Sequence, residues 1–597
     1  MTPTSLTAEP IAPLRPLHWA VLAALLVLTA AVRLWGLDHA LPHHRERDAH
    51  MAFHVELLRH GYTPPDPLNN DNQYPSLMPA LLAALPLDAA PPPADAPLEQ
   101  HLRHASRTLR DFRAEMALLS VLGVGLTFAL ARRFVTNGWA LCAAALAAGN
   151  FLTQYFAQQA RPHVGASVFF LAAVLACGRL ARKPSFMGYA LALLCCWLAI
   201  GTLHSGLALL APLVVACSFA ALYVVHEPAR RLAARVALGP LLAVGVAAAG
   251  LGVFYRYLFR ERTDTDFDTL VVENWGVRWG DHRVALADFA GGGASTLLRT
   301  LAYYDPALLA LLVLALVVWI ARKTPIYRPY ERWSDLWVTL AFVLPYLTLI
   351  ALFERTYERF VLPLTPYFAV FAVWGVAQLA SRSAAARAVA RAALACALVF
   401  AGASVARLAW LRAAPDSMEL AATWIEEQLD SERDVVYCMP TFDLPLARSA
   451  ESLSNVDGRP VVKPSQWSLY QARRAREGDP LSAGRWDLRY LGPRPDLGFP
   501  VARIESDPLG YLRALGAGYF VIDVSRMPVR AAYSRMASGL VELGAERVAR
   551  IGPNEDSAEL GWSLPFEDEL IEGWPSVVGR VLTAKCTGPV IEIYRVK

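Results

Sequence analysis

Residues 17–35 read LHWAVLAALLVLTAAVRLW, an apolar segment long enough to cross a lipid bilayer. It is followed by a polar stretch, His43-His44-Arg45-Glu46-Arg47-Asp48-Ala49-His50, and then by further apolar segments as far as residue 408. The first segment lacks the basic start and small-residue cleavage site of a signal peptide, so we expect it to remain as the first span. Ionisable residues directly after a span lie at the lipid–water boundary, where they can act on a membrane-borne substrate.

The composition indicates a membrane protein. Hydrophobic residues make up 55% of the 597 residues, and the mean hydropathy is +0.33. A soluble domain cannot bury that much apolar surface, and the excess is concentrated in blocks of about 20 residues. The formal net charge is only +4, which gives no support for nucleic-acid binding driven by overall charge.

The apolar blocks predict a polytopic protein of about 11 transmembrane helices. After the first, they cover residues 112–131, 139–155, 164–180, 186–203, 206–225, 236–254, 301–320, 336–353, 360–379 and 392–408. Alternate connections are basic, for example at Arg132-Arg133 and at Arg182-Lys183. Because cytoplasmic loops carry an excess of arginine and lysine, this alternation predicts a multi-pass membrane protein with a cytoplasmic N-terminus.

An odd number of spans places three larger polar pieces on the outer face. Two are loops within a transmembrane domain of residues 1–410, at 37–111 and 260–299, and the third is residues 415–597. In the third piece, helical patterns at residues 418–429, 511–515 and 531–543 are interspersed with strand patterns at 434–438, 518–523 and 590–594. The predicted fold class is therefore mostly α, with a soluble extracytoplasmic α/β domain at the C-terminus. Cys438 and Cys586 in this domain could form a disulfide in an oxidising compartment.

The polar stretch after the first span contains the first candidate site. If residues 45–58 are helical, Glu46, His50 and His54 share one face, and Asp48 lies off it. A carboxylate here could deprotonate an acceptor hydroxyl as it attacks an activated sugar. One alternative is a solvated amphipathic helix on the membrane surface. Another is a zinc or manganese site at Glu46, His50 and His54.

Two further elements lie in outer connections. Tyr74-Pro75-Ser76-Leu77 reads either as the entry to an interfacial helix or as an ordinary loop with a helix start. In Gln158-Gln159-Ala160-Arg161-Pro162-His163, Pro162 suits the first turn of the next helix. Arg161 then lies at the boundary, where it either meets a lipid phosphate or snorkels to the headgroups.

The last candidate is the short charged connection at residues 354–366, ERTYERFVLPLTP. The connection falls on the outer side, where the positive-inside rule predicts few arginines, so its arginines indicate a specific role. One such role is to bind a phosphate leaving group, because the guanidinium of Arg359 can hold phosphate oxygens bidentately. The alternative is mutual pairing of Arg355 and Arg359 with Glu354 and Glu358.

Together these stretches, over about residues 17–410, resemble the membrane glycosyltransferases that use polyprenyl-phosphate sugars. This group has the GT-C fold and includes the family-39-like protein O-mannosyltransferases and the bacterial lipid A aminoarabinose transferases. The matching elements are Arg33-Leu34-Trp35-Gly36-Leu37-Asp38, Tyr74-Pro75-Ser76-Leu77, Ala160-Arg161-Pro162-His163 and Arg359-Phe360-Val361-Leu362-Pro363-Leu364-Thr365-Pro366. Each is weak alone, and four in the right order are fairly specific.

The resemblance implies an inverting hexosyl- or pentosyltransferase that moves a sugar from a polyprenyl-phosphate donor to a glycan, lipid or protein acceptor. The donor phosphate would lie near Arg359, with Arg161 and Tyr357 as further ligands, and the prenyl tail would lie in a groove among the spans. Glu46 or Asp48 would take the acceptor's proton. His50, His54, Tyr74 and His163 are further substrate-site candidates. No cofactor is required, and a divalent metal is the alternative.

Two departures from the family pattern are visible. The adjacent Asp-Glu pair is missing, and counting back from Glu56 favours Glu46 whereas matching to an Asp-Glu-Ala-His form favours Asp48. His163 stands where the family has an acid. These departures leave two alternatives for the chain: a relative that uses a different acceptor, or a relative without activity.

Two rival classes are a polytopic lipid or sugar transporter or flippase and a non-catalytic membrane assembly protein. A transporter is expected to show inverted repeats and broken helices near mid-membrane. Here the polar residues cluster at one face, which favours surface chemistry. An assembly protein would tolerate loss of both Glu46 and Asp48.

Overall fold

The computed structural model describes residues 13–41, 55, 76–85, 92–93, 96, 98–222, 229–255, 276–279, 282–321, 330–439, 443–449, 452, 486–490, 506–524, 539–553 and 577–596. The described part is mainly helical up to residue 428 and contains a sheet with helices after it. The predicted fold class, mostly α with apolar helices followed by an α/β unit, is confirmed.

The helices of the amino-terminal part carry most of its apolar residues. They are α1 Pro16–Leu34, α2 Leu77–Ala83, α3 Leu98–Ala105, α4 Arg107–Ala131, α5 Asn137–Ala148, α6 Phe151–Ala157, α7 His163–Arg182, α8 Phe186–Thr202, α9 Leu210–Leu222, α10 Ala229–Phe254, α11 Gly293–Tyr304, α12 Pro306–Ile320, α13 Tyr330–Leu352, α14 Thr365–Ala380 and α15 Ala384–Ala413. Short 3₁₀ helices at His204–Leu209, Leu286–Phe289 and Glu358–Leu364 and a hairpin of β1 Gly276–Trp279 with β2 His282–Ala285 lie between them.

The eleven predicted apolar segments fall on described helices. By length and composition, eight described helices are long and apolar enough to cross a membrane, or ten if each of two bent pairs is one span. The remaining segment is α8, an apolar helix of 17 residues. The exact number of spans stays a prediction.

Two predicted continuous spans are wrong in detail, because each is broken at a polar residue. The segment at 139–155 bends by 51° between α5 and α6, where Asn150 accepts a hydrogen bond from the Thr153 amide and so caps a new helix. The segment at 301–320 bends by 117° between α11 and α12. Asp305 precedes a proline there, and a residue before proline is disfavoured in helical conformation.

Helices α7 and α14 form the centre of the bundle, and 78% of the residues in the apolar window of each are buried. In contrast, α1 keeps only 17% of its window buried, and its exposed large side chains include Leu17, Val27 and Leu28. α14 lies against α12 so closely that a Cβ at Gly375 would be 2.4 Å from the Cα of Ala315. Only glycine fits at this crossing.

Two basic connections, at Arg132-Arg133 and at Arg182-Lys183, lie at the end of the bundle opposite to residues 35–41. α4 begins beside those residues and ends at the Arg132-Arg133 turn. α7 ends at Arg182, whose guanidinium donates to the carboxylate of Asp335 near the start of α13. The buried pair therefore joins two helices at the arginine-rich end.

The carboxy-terminal part contains a mixed five-stranded sheet. Its elements are α16 Ser417–Gln428, β3 Val436–Cys438, β4 Leu488–Tyr490, α17 Pro508–Ala514, β5 Tyr519–Asp523, β6 Glu546–Ile551, α18 Val577–Thr583 and β7 Ile591–Arg595. The strand order is β4-β3-β5-β7-β6, with β3 parallel to β4 and β5 and with β7 antiparallel to β5 and β6. Buried apolar side chains of α16, α17 and the strands form a separate core.

This part is anchored to the bundle through α18. Val577, Val578 and Val581 of α18 join one apolar cluster with residues of α6, α11 and α15. The Arg407 guanidinium on α15 donates to the carbonyl of Ala584, at 2.5 Å. The sheet-containing part is therefore attached at the end of the bundle that carries α6.

The suggested Cys438–Cys586 disulfide is wrong, since both thiols are free and buried. Cys438 lies in the core strand β3, beside Asp443 and Arg448, whereas Cys586 follows α18 and lies beside Asp416. Burial raises the pKa of the Cys586 thiol to about 12, so this thiol is protonated at neutral pH and unreactive.

Candidate functional site

The loop after the first helix is fixed to three other elements. Gly36 has φ +78°, and a Cβ there would be 2.9 Å from the backbone nitrogen of Ala413 at the end of α15. The Arg113 guanidinium of α4 donates to the carbonyls of Leu37 (2.5 Å) and His39 (3.0 Å). The chain that leads to the predicted catalytic carboxylates therefore starts from a defined position.

The third element is the turn after α6. Gln158 is buried, and its amide nitrogen donates to the carbonyls of Arg33 (3.1 Å) and Trp35 (2.5 Å). Its oxygen accepts a 2.9 Å bond from Arg412 of α15, which also donates to the carbonyl of Tyr155. This network holds the turn that carries Arg161 against the end of the first helix.

Asp305 fixes the start of α6. Its carboxylate accepts hydrogen bonds from the amides of Phe151 (2.7 Å) and Leu152 (3.2 Å), which are otherwise unsatisfied at a helix start. The charge also complements the positive end of the α6 dipole. Asp305, which lies at the bend in the predicted span at 301–320, therefore caps α6, the helix that follows the bend in the predicted span at 139–155.

Arg161 and His163 follow this turn, and both are buried, with 2% and 4% of their surfaces exposed. The prediction that Arg161 snorkels to the headgroups is wrong, because a side chain covered by protein does not reach the lipid surface. Arg359, Arg161 and His204 act electrostatically on His163. The structure thus brings together two arginines and two histidines; we call these four residues the cationic cluster.

The connection at residues 354–364 positions Arg359. Its guanidinium carbon lies 4.3 Å from the ring centroid of Tyr357 and 5.7 Å from that of Phe360. The Tyr346 hydroxyl donates to the carbonyl of Phe360 at 3.1 Å. Stacking on two rings restricts the orientation of the guanidinium and leaves its edge for hydrogen bonding.

Arg355, in the same connection, has a different role. It is mostly exposed and lies 3.6 Å from the carboxylate of Asp288. The segment around Asp288 is bound to this connection, because the amide of Glu354 donates to the Asp288 carbonyl at 2.7 Å. Arg355 is therefore a surface ion-pair partner, which distinguishes it from Arg359.

The Tyr74-Pro75-Ser76-Leu77 element leads into α2, which packs at the same end. A Cβ at Gly165, two residues after His163, would lie 2.8 Å from the sulfur of Met78. Val55, Met78 and Ala160 belong to one buried apolar cluster. A helix starts at Leu77, which both interpretations of this element predict, and it packs next to Gly165, two residues after His163.

The outcome for the predicted site residues is divided. Arg161, His163, Tyr357 and Arg359 lie together. The other candidates, Glu46, Asp48, His50, His54 and Tyr74, lie outside the described residues, and with them the metal site at Glu46, His50 and His54. Within the described part of the chain, no group of three or more His, Cys, Asp or Glu side chains suits a metal ion.

His204, Gln158 and Asp305 are also parts of this site, although the sequence motifs do not single them out. His204 begins the 3₁₀ helix at His204–Leu209, in a two-residue break between apolar segments, which is a detectable signal. Gln158 has no local signal beyond its polarity. Asp305 hardly changes the mean hydropathy of the long apolar window that contains it.

Replacing Asp305 with alanine is expected to lower the free energy of unfolding by about 1–2 kcal/mol, the usual cost of losing a helix cap. The α6 turn should then lose its fixed position, so affinity for a ligand of Arg161 should also fall. Thermal unfolding in detergent measures the first effect, and Asp305→Asn, which keeps one acceptor oxygen, should restore part of it. Unchanged melting of the alanine variant would show that the cap is dispensable.

His39 makes the site end sensitive to acid. Burial and the charges of Arg113 and Arg412 hold the pKa of His39 well below its usual value, while its bond to the Gly36 carbonyl opposes them. The unfolded chain therefore takes up the proton first, and stability is lost as the pH falls below about 6.5. Thermal unfolding between pH 8 and pH 5 should show this loss in the parent and a smaller one in His39→Gln. Equal slopes would contradict the assignment.

A scan of the chain against protein-family models finds no match, and a search of curated proteins finds none either. Solved structures do match. ArnT from Cupriavidus metallidurans bound to undecaprenyl phosphate is 14% identical with a TM-score of 0.42, over 90% of this chain and 97% of that chain. The oligosaccharyltransferase AglB from Archaeoglobus fulgidus, in complex with an inhibitory peptide and a dolichol-phosphate, is 12% identical with a TM-score of 0.42, over 88% and 72%.

Proposed function

We propose that this chain is an inverting glycosyltransferase that moves a sugar from a polyprenyl-phosphate donor to a lipid, glycan or protein acceptor. The reaction takes place at the outer face of the bacterial cytoplasmic membrane, with the N-terminus in the cytoplasm and residues 415–597 outside. The observation that carries the proposal is the cationic cluster, which unites Arg161, His163, His204 and Arg359 at one end of an apolar helical bundle.

The cluster suits the phosphate of the donor. Arg359 is pre-oriented by Tyr357 and Phe360, and Arg161 is buried, so that its interactions with an anion are weakly screened. Hydrogen bonds between charged partners contribute about 1.5–3 kcal/mol each. They strengthen as the bond between the sugar carbon and the phosphate oxygen breaks, because negative charge then accumulates on the phosphate.

The acceptor's proton is assigned to Glu46 or Asp48. Leu41 and Val55, which bracket these residues in the chain, pack in or against the same apolar cluster as Ala160, the residue before Arg161. Glu46 lies five positions after Leu41 in the chain, a span of at most about 18 Å even for an extended chain. The anchors at both ends of the segment support the assignment of Glu46 or Asp48 as the base.

The reaction is a single displacement. The carboxylate removes the proton of the acceptor hydroxyl, the hydroxyl oxygen bonds to the anomeric carbon, and the phosphate leaves from the opposite face with the electron pair. The configuration at the anomeric carbon is inverted. Arginine supplies the charge stabilisation that a metal ion would otherwise provide, so the scheme needs no cofactor, and a divalent metal at Glu46, His50 and His54 is the alternative.

Transfer assays test the proposal. The purified protein is incubated in lipid nanodiscs with radiolabelled polyprenyl-phosphate sugars and candidate acceptors, with and without EDTA. Transfer with inversion is expected for the parent, and loss of transfer with retained donor binding is expected for the Glu46→Gln/Asp48→Asn double variant. Undiminished transfer in the double variant would eliminate the base assignment. Absence of donor binding by the parent would favour a transporter or an assembly protein.

A further inference from the structure

A small cavity lies among the helices of the bundle, and none of the four residues of the cationic cluster is among its described lining residues. Its volume is about 30 Å³. Apolar residues of α4, α5, α7, α14 and the 3₁₀ helix at Glu358–Leu364 form much of its wall, and polar residues from five helices contribute to it. These are Arg33 of α1, Ser120 and Thr127 of α4, Thr153 of α6, Ser167 of α7 and Thr365 of α14.

Arg33 is the only charged residue among the described residues that line this cavity. Only 1% of its surface is exposed. One nitrogen, Nη2, donates weakly to the carbonyls of Ala147 (3.3 Å) and Ala148 (3.4 Å) at the end of α5. Nε and Nη1 have no hydrogen-bond partner. Arginine stays protonated in proteins, so this charge cannot be removed by losing a proton.

Among the described residues, no carboxylate offsets the burial of the Arg33 charge. A buried and unpaired charge costs several kcal/mol in real proteins, so charged groups inside a bundle are normally paired. The carbonyls at the end of α5 carry only partial charges. The arrangement therefore calls for a negative partner inside the cavity.

The hydroxyl groups around the cavity can take part in binding such a partner. Thr127, Ser167 and Thr365 donate to main-chain carbonyls three or four residues earlier, at 2.7–2.9 Å. Helix carbonyls at these positions are also acceptors for main-chain amides, so a hydroxyl proton can turn away from them at little cost. Arg33 and these hydroxyls then offer N–H and O–H donors along the wall of the same cavity.

We propose that this cavity is a binding site for a monovalent inorganic anion of halide size. A volume of about 30 Å³ accommodates roughly two water-sized spheres, which suits chloride with one water and is too small for a phosphate group. The anion neutralises Arg33 and joins the end of α1 to Thr365 at the start of α14. Water alone would satisfy the nitrogens and leave the charge uncompensated. The proposal is independent of the glycosyltransferase assignment.

Halide dependence of the full-length protein tests this site. The parent, exchanged exhaustively into gluconate in detergent, should gain several degrees in melting temperature on addition of chloride or bromide, with saturation. Sulfate and inorganic phosphate at equal ionic strength should give no such gain. Arg33→Met, which removes the charge and keeps much of the volume, should lose the halide response and melt no lower than the parent in gluconate. Arg382→Met, at an exposed arginine, is the matched control and should keep the response.

Anomalous diffraction from crystals of the parent grown in bromide gives a readout that does not depend on any variant folding. A bromide peak within about 3.5 Å of the Arg33 guanidinium is expected. A gain in melting temperature that is equal for all salts, or a cavity that contains only water in the bromide crystals, would overturn the proposal. Stabilisation by phosphate but not by bromide would show instead that the site takes a phosphate group.

Discussion

Replacing Arg359 with alanine is expected to lower the rate of sugar transfer by about 10²–10³-fold, the usual cost of removing one preorganised donor from a developing oxyanion. The guanidinium lies on Tyr357 within electrostatic range of His163, and we place the donor phosphate at that position. The loss should appear mainly in kcat, because the charge on the phosphate grows as the bond to the sugar breaks. Initial rates at saturating donor measure it.

Two variants make this prediction specific. Arg359→Lys keeps the charge and loses the bidentate fork, so it should recover only part of the rate. Arg355→Ala removes the same side chain four residues earlier, where it forms an exposed pair with Asp288, and should stay within a few-fold of the parent. Equal losses in Arg355→Ala and Arg359→Ala would show that the two arginines act through the overall charge of the connection.

Replacing Gly36 with alanine is expected to lower the free energy of unfolding by about 3 kcal/mol. An L-residue at φ +78° is strained by about 1–2 kcal/mol. In addition, the new Cβ would lie 2.9 Å from the nitrogen of Ala413 and 3.0 Å from the carbonyl oxygen of Ala409, and both are backbone atoms that cannot move aside cheaply. Thermal unfolding in detergent measures the loss.

The loop that begins at Gly36 also leads to Glu46 and Asp48, so transfer activity should fall with stability. Gly125→Ala is the matched control. A Cβ at Gly125, inside α4, meets no atom within 4 Å, so alanine should leave stability unchanged or raise it by up to about 1 kcal/mol. If Gly36→Ala melted like the parent, the close approach of this loop to α15 would not be a feature of the protein.

The positions of the apolar helices could be predicted from sequence because hydropathy is a local property. Residues 164–180 and 186–203 match α7 and α8 closely. The bends at Asn150 and Asp305 have local signals, a helix-capping asparagine and a residue before proline, which an average of hydropathy over a window does not register. Asp305 is tolerated inside an apolar segment because its carboxylate accepts hydrogen bonds from the amides of Phe151 and Leu152 in another helix.

The members of the site were partly predictable from the sequence motifs. Arg161, His163 and Arg359 were expected at one face from the order of the motifs, and they do lie together. The burial of Arg161 was not expected, because it depends on contacts from α1 and α15 to the Gln158 turn that no local pattern encodes. His204 joins the cluster through helix packing alone.

The most direct test of the central claim is a structure of the protein in lipid nanodiscs with polyprenyl phosphate bound. The phosphate is expected within hydrogen-bonding distance, about 3 Å, of Arg359 or Arg161, with a carboxylate of Glu46 or Asp48 facing it across a gap that fits one sugar. A phosphate bound at another part of the bundle, or carboxylates on the opposite side of the membrane, would contradict the proposed function.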